Sequence, residues 1–251
     1  MLRIILSGCN GKMGRVITDI VTRRDDCAIV AGVDLDVSQN GPFPVFNRFS
    51  DITCEADVII DFSNPAVLSS LLEYAEEKQL AAVIATTGFS EEQTRSIYAA
   101  GTRIPVFFSF NMSLGINLLA ELARKAASVL DGFDIEIIEK HHNQKLDAPS
   151  GTALLLANEI NDELGGEMTY EYDRHSRREK RNPREIGIHA VRGGTIVGEH
   201  EILFAGRDEI ITLSHSARSK EVFAVGAVNA ALFLEGKAPG VYSMRELVAS
   251  K

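Results

Sequence analysis

The sequence predicts an α/β fold in two parts. A doubly wound parallel sheet occupies residues 1–112 and is completed by the returning segment 217–251, and an α+β unit with a mostly antiparallel sheet occupies residues 113–216. Two observations predict this division. Up to Asn111, strand-length apolar runs alternate with helix-length segments, and such alternation implies parallel βαβ units, because parallel neighbours need a crossover that covers the sheet face. After Asn111 come long helices and three strand-like runs punctuated by glycine turns, which is an α+β pattern.

Arg3 to Ser7 is a short apolar run that ends at glycine, and Met13 to Thr22 carries apolar residues at helical spacing: strand, tight turn, helix. Further strands are expected over Ala28 to Val33, Ala56 to Asp61, Ala81 to Ala85 and Val106 to Phe108, with helices over Ala66 to Gln79 and Glu91 to Ala100. Ser113 to Leu130 reads as a long amphipathic helix, Ile135 to Glu139 as a strand and Gly151 to Leu164 as a helix. Strands follow over Ile186 to Val191, Thr195 to Phe204 and Glu209 to Ser216. Ser219 to Leu234 is a last helix, stopped by Gly236 and Pro239.

Composition narrows the function classes. The 251 residues are 45% hydrophobic and 24% charged, the balance of an ordinary folding domain. No apolar run approaches the roughly 20 residues that cross a bilayer, and Met1-Leu2-Arg3 leads into Ile4-Ile5-Leu6 without a cleavable leader. The expectation is a cytoplasmic protein with no membrane partner. A net charge of −9 repels nucleic acid. The basic cluster of Arg174, Arg177, Arg178, Lys180, Arg181 and Arg184 is interrupted by Glu179 and Glu185 and lacks interleaved aromatics, so a solvated loop is expected there. Cys9, Cys27 and Cys54 are widely spaced, which indicates reduced thiols with neither a disulfide framework nor a zinc site.

Gly8-Cys9-Asn10-Gly11-Lys12-Met13-Gly14 joins the first strand to the first helix, where a dinucleotide turn must lie. Glycine is needed there because a Cβ would block the tight turn and the close approach of backbone to pyrophosphate, whose charge the helix N-terminus stabilises. Glycine turns also occur at such junctions for steric reasons alone. Asp34 decides in favour of a nucleotide: it ends the second strand 20 residues after Gly14, where an acid accepts hydrogen bonds from the adenosine ribose. The first part is therefore Rossmann-like. The same acid favours NADH over NADPH, while Lys12 leaves a 2′-phosphate within reach. Ala85-Thr86-Thr87 and Ser109-Phe110-Asn111-Met112 follow later strands at the carboxyl edge where open α/β sheets bind ligands, and are candidates to line the nicotinamide.

The densest polar run, Glu139 to Ala153, stands between a strand and a helix. Histidine as a residue type exchanges protons near neutrality and lysine is ordinarily a cation, so His141 with Lys145 suggests a general acid with an anion clamp. Beyond Pro149, Ser150-Gly151-Thr152 opens a helix whose amides can hold a carboxylate. A metal site is the rival reading. It is disfavoured because His141 and His142 are adjacent, so that on an extended chain they face opposite ways, and no third ligand stands at familiar spacing.

In this run the chain resembles the 4-hydroxy-tetrahydrodipicolinate reductase family, also called dihydrodipicolinate reductase, whose signature E-x-H-H-x-x-K-x-D-A-P-S-G-T-A is matched from Glu139 to Ala153. Gly8 to Gly14, Asp61-Phe62-Ser63, Thr86 to Phe89, Asn111 to Ser113, Arg192 to Gly194 and Gly198-Glu199-His200 extend the resemblance over nearly the whole chain. The resemblance implies that His141 is the proton donor, that Lys145 assists as second donor and clamp, and that His142, Gly151 and Thr152 bind a dicarboxylate substrate. The glycine turn and the acid make Gly8, Cys9, Asn10, Gly11, Lys12, Met13 and Asp34 the candidate cofactor contacts, and the resemblance implies a homotetramer joined through the second part's sheet. The chain departs from the family at Met112, usually phenylalanine, and at Leu35, an arginine in some members. Both bear on cofactor preference. Two other readings compete: a non-catalytic NADH-binding regulator, and a dehydrogenase that uses a cysteine thioester.

Overall fold

The computed structural model describes residues 1–38 and 41–251. Contacts divide the chain into two compact units, Met1–Leu114 with Glu221–Lys251, and Gly115–Lys220.

The first unit contains β1 (Leu2–Ser7), α1 (Lys12–Val21), β2 (Cys27–Val33), β3 (Val45–Phe46), β4 (Val58–Asp61), α2 (Leu68–Lys78), β5 (Ala81–Ile84), α3 (Glu91–Ala100) and β6 (Pro105–Phe108). Its strands form one sheet with β12 (Gly240–Tyr242) from the chain's end, in the order β12-β6-β5-β4-β1-β2-β3, and every pair is parallel. Alternation along β1 builds two cores. Ile4 and Leu6 pack on one face with Ile17 of α1, while Ile5 packs on the other with Leu71 of α2 and Ile97 of α3.

The second unit begins with α4 (Leu114–Val129), β7 (Asp134–His141), α5 (Gly151–Glu163), β8 (Thr169–Glu171), β9 (Glu185–Arg192), β10 (Gly198–Ala205) and β11 (Ile210–Ala217). Its sheet order is β11-β10-β7-β9-β8. β10 forms a hairpin with β11 and also lies antiparallel to β7. The run over β9 does not pair with β10. It lies on the far side of β7 and runs parallel to it.

The chain closes with α6 (Glu221–Phe233), β12 (Gly240–Tyr242) and α7 (Met244–Ala249), back in the first unit. Ala224, Ala227, Val228 and Ala231 of α6 bury against the Ile4 and Leu6 face. Gly226 is required there, since a Cβ would collide with the Met112 carbonyl.

Three buried strands of the second unit share one feature. Ile135 and Ile137 of β7, Ile186 and Ile188 of β9, and Ile202 and Phe204 of β10 form an apolar layer under α4 and α5. Continued along the same face, β7 ends in Glu139 and His141, β9 in Arg192, and β10 begins with Gly198 and His200. Register aligns them: Ile202 stands opposite Ile137, His200 opposite Glu139, and Arg192 opposite His141. The core layer thus becomes polar at one end, beneath the start of α5.

Candidate active site

Glu139 is the centre of this polar end and is 0% exposed. A carboxylate so far from water must be fully hydrogen-bonded or neutralised. Arg192 grips it in bidentate fashion, Nη1 to Oε2 and Nη2 to Oε1, both at 2.7 Å. The Ser150 amide donates to Oε1 at 2.9 Å, and His141 Nδ1 lies 2.6 Å from Oε2. Burial alone would raise the Glu139 carboxyl, but these partners outweigh it and hold the group below the ordinary carboxylate range. Arg192 also donates to the Asp147 carbonyl, 2.6 Å away, tying the strand end to the following loop.

The consequence for His141 is a fixed ring. A carboxylate against Nδ1 assigns the proton to that nitrogen, leaving Nε2 as the one that exchanges with a ligand. Nε2 lies over Gly198, where an added Cβ would stand 3.1 Å from it, so the absence of a side chain at 198 keeps the nitrogen clear. Carboxylate, oriented imidazole and open nitrogen are the arrangement that acid–base chemistry requires.

Beyond His141 the chain turns, with the Asn143 amide donating to Gly194 at 3.2 Å and the Lys145 amide to His142 at 3.1 Å. Lys145 Nζ lies 2.8 Å from Asp147 Oδ1, and that ammonium holds the exposed Asp147 carboxyl below the usual range. Ser150 is the N-cap of α5, its Oγ accepting the Ala153 amide at 3.1 Å. Gly151 and Thr152 follow in the first turn, Gly151 exposed with open space where a side chain would stand. His142 is half-buried and, next to His141 at the strand's end, faces the other way. His141, which the sequence assigned to a loop, is the last residue of β7: alternation of buried positions continues through Glu139 to it.

In the first unit a cleft of about 1000 Å³ opens beside the glycine turn, with Gly8, Asn10, Gly11, Asp34 and Ser63 among its walls. The turn has the close-approach geometry a pyrophosphate needs. Gly8 has φ +77°, a Cβ on it would collide with the Phe62 carbonyl, and one on Gly14 would collide with the Gly8 and Cys9 carbonyls. Asp34 Oδ2 accepts the Asn10 amide at 2.9 Å, joining the acid to the turn. These residues fit a dinucleotide: the first turn of α1, which no side chain caps, for phosphate, and the Asp34 carboxylate for a ribose. Lys12 is exposed at the start of α1 and Met13 packs on the core. Cys9 is buried under the turn, its thiol pushed up to about 11 by burial and then by Asp34. A protonated, enclosed thiol does not suit the thioester reading.

Ala85 and Thr86 are buried at the end of β5, with the Thr86 hydroxyl accepting the Ser63 amide at 2.8 Å, and Thr87 is exposed. After β6, Ser109 donates to the Asn111 carbonyl, Asn111 Oδ1 accepts the Ser113 amide, Met112 is buried, and the Phe110 ring stands 79% exposed against Phe108. Four members of the basic cluster pair with acids: Arg174 with Glu185, Arg177 with Glu171, Arg181 with Asp134 and Glu136, and Arg184 with Glu167. The stretch is a largely exposed loop, and these ion pairs tie it to β7, β8 and β9. Among the described residues, no cluster of three or more His, Cys, Asp or Glu side chains could hold a metal ion, and no helix is long and apolar enough to cross a membrane.

In the sequence Glu139 and Arg192 stand out only as parts of motif runs, and Ser150 only as part of a helix start. One signal was available: a glutamate at an inward position of an alternating strand requires a buried partner.

Both halves of the chain match models of one family. Residues 2–112 match the N-terminal part of dihydrodipicolinate reductase and residues 115–248 the C-terminal part. The chain belongs to the dihydrodipicolinate reductase family. It is 52% identical to the 4-hydroxy-tetrahydrodipicolinate reductase of Caldanaerobacter subterraneus subsp. tengcongensis over 99% of this chain and 98% of that one. It is 51% identical to the Clostridium tetani protein of the same name, over 97% and 96%. Among solved structures it is similar to a dipicolinate-bound dihydrodipicolinate reductase from Paenisporosarcina sp. TG-14, with a TM-score of 0.81, 27% identity and 97% of each chain covered.

Proposed function

We propose that this oxidoreductase reduces 4-hydroxy-tetrahydrodipicolinate to tetrahydrodipicolinate in the diaminopimelate route to lysine. The observation that carries the reading is a histidine at the end of β7 whose Nδ1 is held by a fully buried carboxylate, in a chain whose relatives carry this reductase's name.

Reduction of the substrate requires loss of its hydroxyl as water, addition of hydride to a ring carbon conjugated with an imine, and a proton for the electron density pushed onto the ring. When bound, a reduced nicotinamide supplies the hydride. His141 supplies the proton from Nε2, and the Glu139 carboxylate stabilises the imidazolium before transfer and its Nδ1–H tautomer after it. Lys145 contributes a charge-assisted hydrogen bond as clamp and second donor. The amides of Gly151 and Thr152, with His142 beside them, hold a substrate carboxylate against the positive end of α5. Asp34 at the nucleotide cleft supports NADH as the preferred cofactor, with NADPH also accepted.

A homotetramer and a cytoplasmic location belong to the same proposal. The exposed Ile210 and Ile211 on the edge strand β11 support association through that sheet. The test follows absorbance of the reduced cofactor when purified protein, NADH and freshly generated substrate are mixed. Consumption that depends on both protein and substrate is expected. Binding of NADH without consumption would replace this reading with that of a regulator.

A further inference from the structure

His200 has no part in the reaction as derived, yet it is 4% exposed and lies between the Glu139–His141 pair and the start of α5. Its Nε2 is 3.0 Å from Ser150 Oγ, its ring meets that of His141 edge-on at 5.2 Å between centroids, and its Nδ1 is buried without a partner. We propose that His200 is a positioning residue that donates from Nε2 to Ser150 Oγ and thereby fixes the Ser150 hydroxyl and the first turn of α5 for binding a substrate carboxylate. The inference rests on the dicarboxylate reading above.

The tautomer follows from hydrogen-bond accounting. If Ser150 donated to Nε2, the proton of His200 would sit on Nδ1, leaving an N–H buried with no acceptor, which is rarer than a bare lone pair. With the proton on Nε2, Ser150 Oγ accepts twice, from His200 and from the Ala153 amide. Its own proton then points away from both, available to an anion. The Ser150 amide is meanwhile held by Glu139. The N-cap is thus fastened to β7 through Glu139 and to β10 through His200, strands whose register sets these two residues opposite each other. Burial, and then the neighbouring His141, push His200 down to about 4, so it stays neutral while His141 works and is no proton source.

The probe is pyridine-2,6-dicarboxylate, titrated calorimetrically against the full-length wild type, H200Q, H200N, S150A and the H200N/S150A double variant, each checked by thermal melting. Gln carries an amide nitrogen as far out as Nε2, whereas Asn reaches only to the Nδ1 position. H200Q is expected to bind within about threefold of wild type and H200N roughly tenfold more weakly, the loss of a hydrogen bond that organises a charged ligand's site. The double variant should lose no more than the worse single variant, because the two residues act as one unit. Steady-state data should show the defect in KM for substrate, with the pH midpoint of kcat unmoved. Equal affinity of H200N and wild type, equal losses in H200Q and H200N, additive losses in the double variant, or a shifted pH midpoint would each overturn the proposal. A wild type that neither binds the probe nor turns over would overturn the dicarboxylate reading instead.

Discussion

Glu139→Gln is the sharpest test of the Glu139–His141 pair, because it removes one charge and almost no volume. The carboxylate receives four contacts: two from Arg192, one from the Ser150 amide and one from His141. With its oxygen at the Oε1 position, a glutamine keeps the Ser150 amide and one arm of Arg192. Its NH₂ then faces the other arm, donor against donor, and donates to His141 Nδ1, which drives the imidazole proton to Nε2 and withdraws the counter-charge of the imidazolium. Removing one partner of a buried pair destabilises by about 3–5 kcal/mol, and the lower end applies because Arg192 retains some solvent contact. Loss of an oriented general acid–base group lowers turnover by roughly 10²–10⁴-fold. The expected outcome is a protein that melts lower, binds NADH normally and turns over at least 100-fold more slowly. Acid sensitivity adds a second readout. The Glu139 carboxyl is held below its unfolded value of about 4.3, so its stabilisation is present above that pH and is lost as pH falls through the lower folded value. Denaturant titrations between pH 3 and 6 should show the wild type losing this contribution and E139Q showing none of it. A kcat for E139Q within threefold of wild type would refute the assignment of His141's orientation to Glu139.

Replacing both members of the ion pair, E139M/R192M, should restore most of the stability lost in E139Q while leaving activity absent, because apolar side chains fill a buried pair's space at little net loss; chemical denaturation and cofactor consumption measured together check this. Asp61, at the end of β4 and 2% exposed, has its carboxyl raised by burial despite hydrogen bonds that favour the charged form, Ser63 first. Its contribution is whole below the unfolded value of about 3.9 and is lost as pH rises through the folded one, so D61N should gain roughly 1–2 kcal/mol over wild type at pH 8, measured by urea unfolding. D34N should weaken NADH about tenfold while NADPH changes less, read as the ratio of the two dissociation constants in fluorescence titrations. Thiol alkylation should modify exposed Cys54 and leave cofactor consumption intact, since Cys9 and Cys27 are buried and burial raises both thiols; mass spectrometry with an activity assay checks it.

The parts of the fold that depend on local pattern were legible in the sequence. The alternation of strands and helices up to Phe108 and the glycine turn before α1 depend on side-chain period and on Cβ clashes, both local properties. Short edge strands were not: Val45–Phe46, Thr169–Glu171 and Gly240–Tyr242 are two or three residues long and exist because a neighbouring strand offers hydrogen bonds. The helix Met244–Ala249 was missed for a related reason. It is six residues long, and its Ser243 to Glu246 capping box, rather than a long apolar face, marks its start. In the site, residue types that carry chemistry could be read directly, and His141 and Lys145 stood out. Their supports did not, because Arg192 and His200 lie 51 and 59 positions beyond His141 in the chain and reach it only through β-sheet register.

That register connects stability to chemistry. Ile137 with Ile202, and Glu139 with His200, are consecutive inward pairs of one antiparallel ladder. A slip of one residue would turn every inward side chain of one strand to the opposite face, exposing Ile202 and Phe204 together with His200. The apolar end of the layer, where Ile135, Ile137, Ile202 and Phe204 are each at most 3% exposed, therefore enforces the alignment that the polar end uses. The polar end does not need to supply the folding energy itself. It requires only that each buried group find its partner, which Glu139 does with Arg192, Ser150 and His141, and His200 with Ser150. Strands fixed by packing elsewhere can thus hold a charged carboxylate in the interior, and that carboxylate keeps the histidine ring oriented before any ligand arrives.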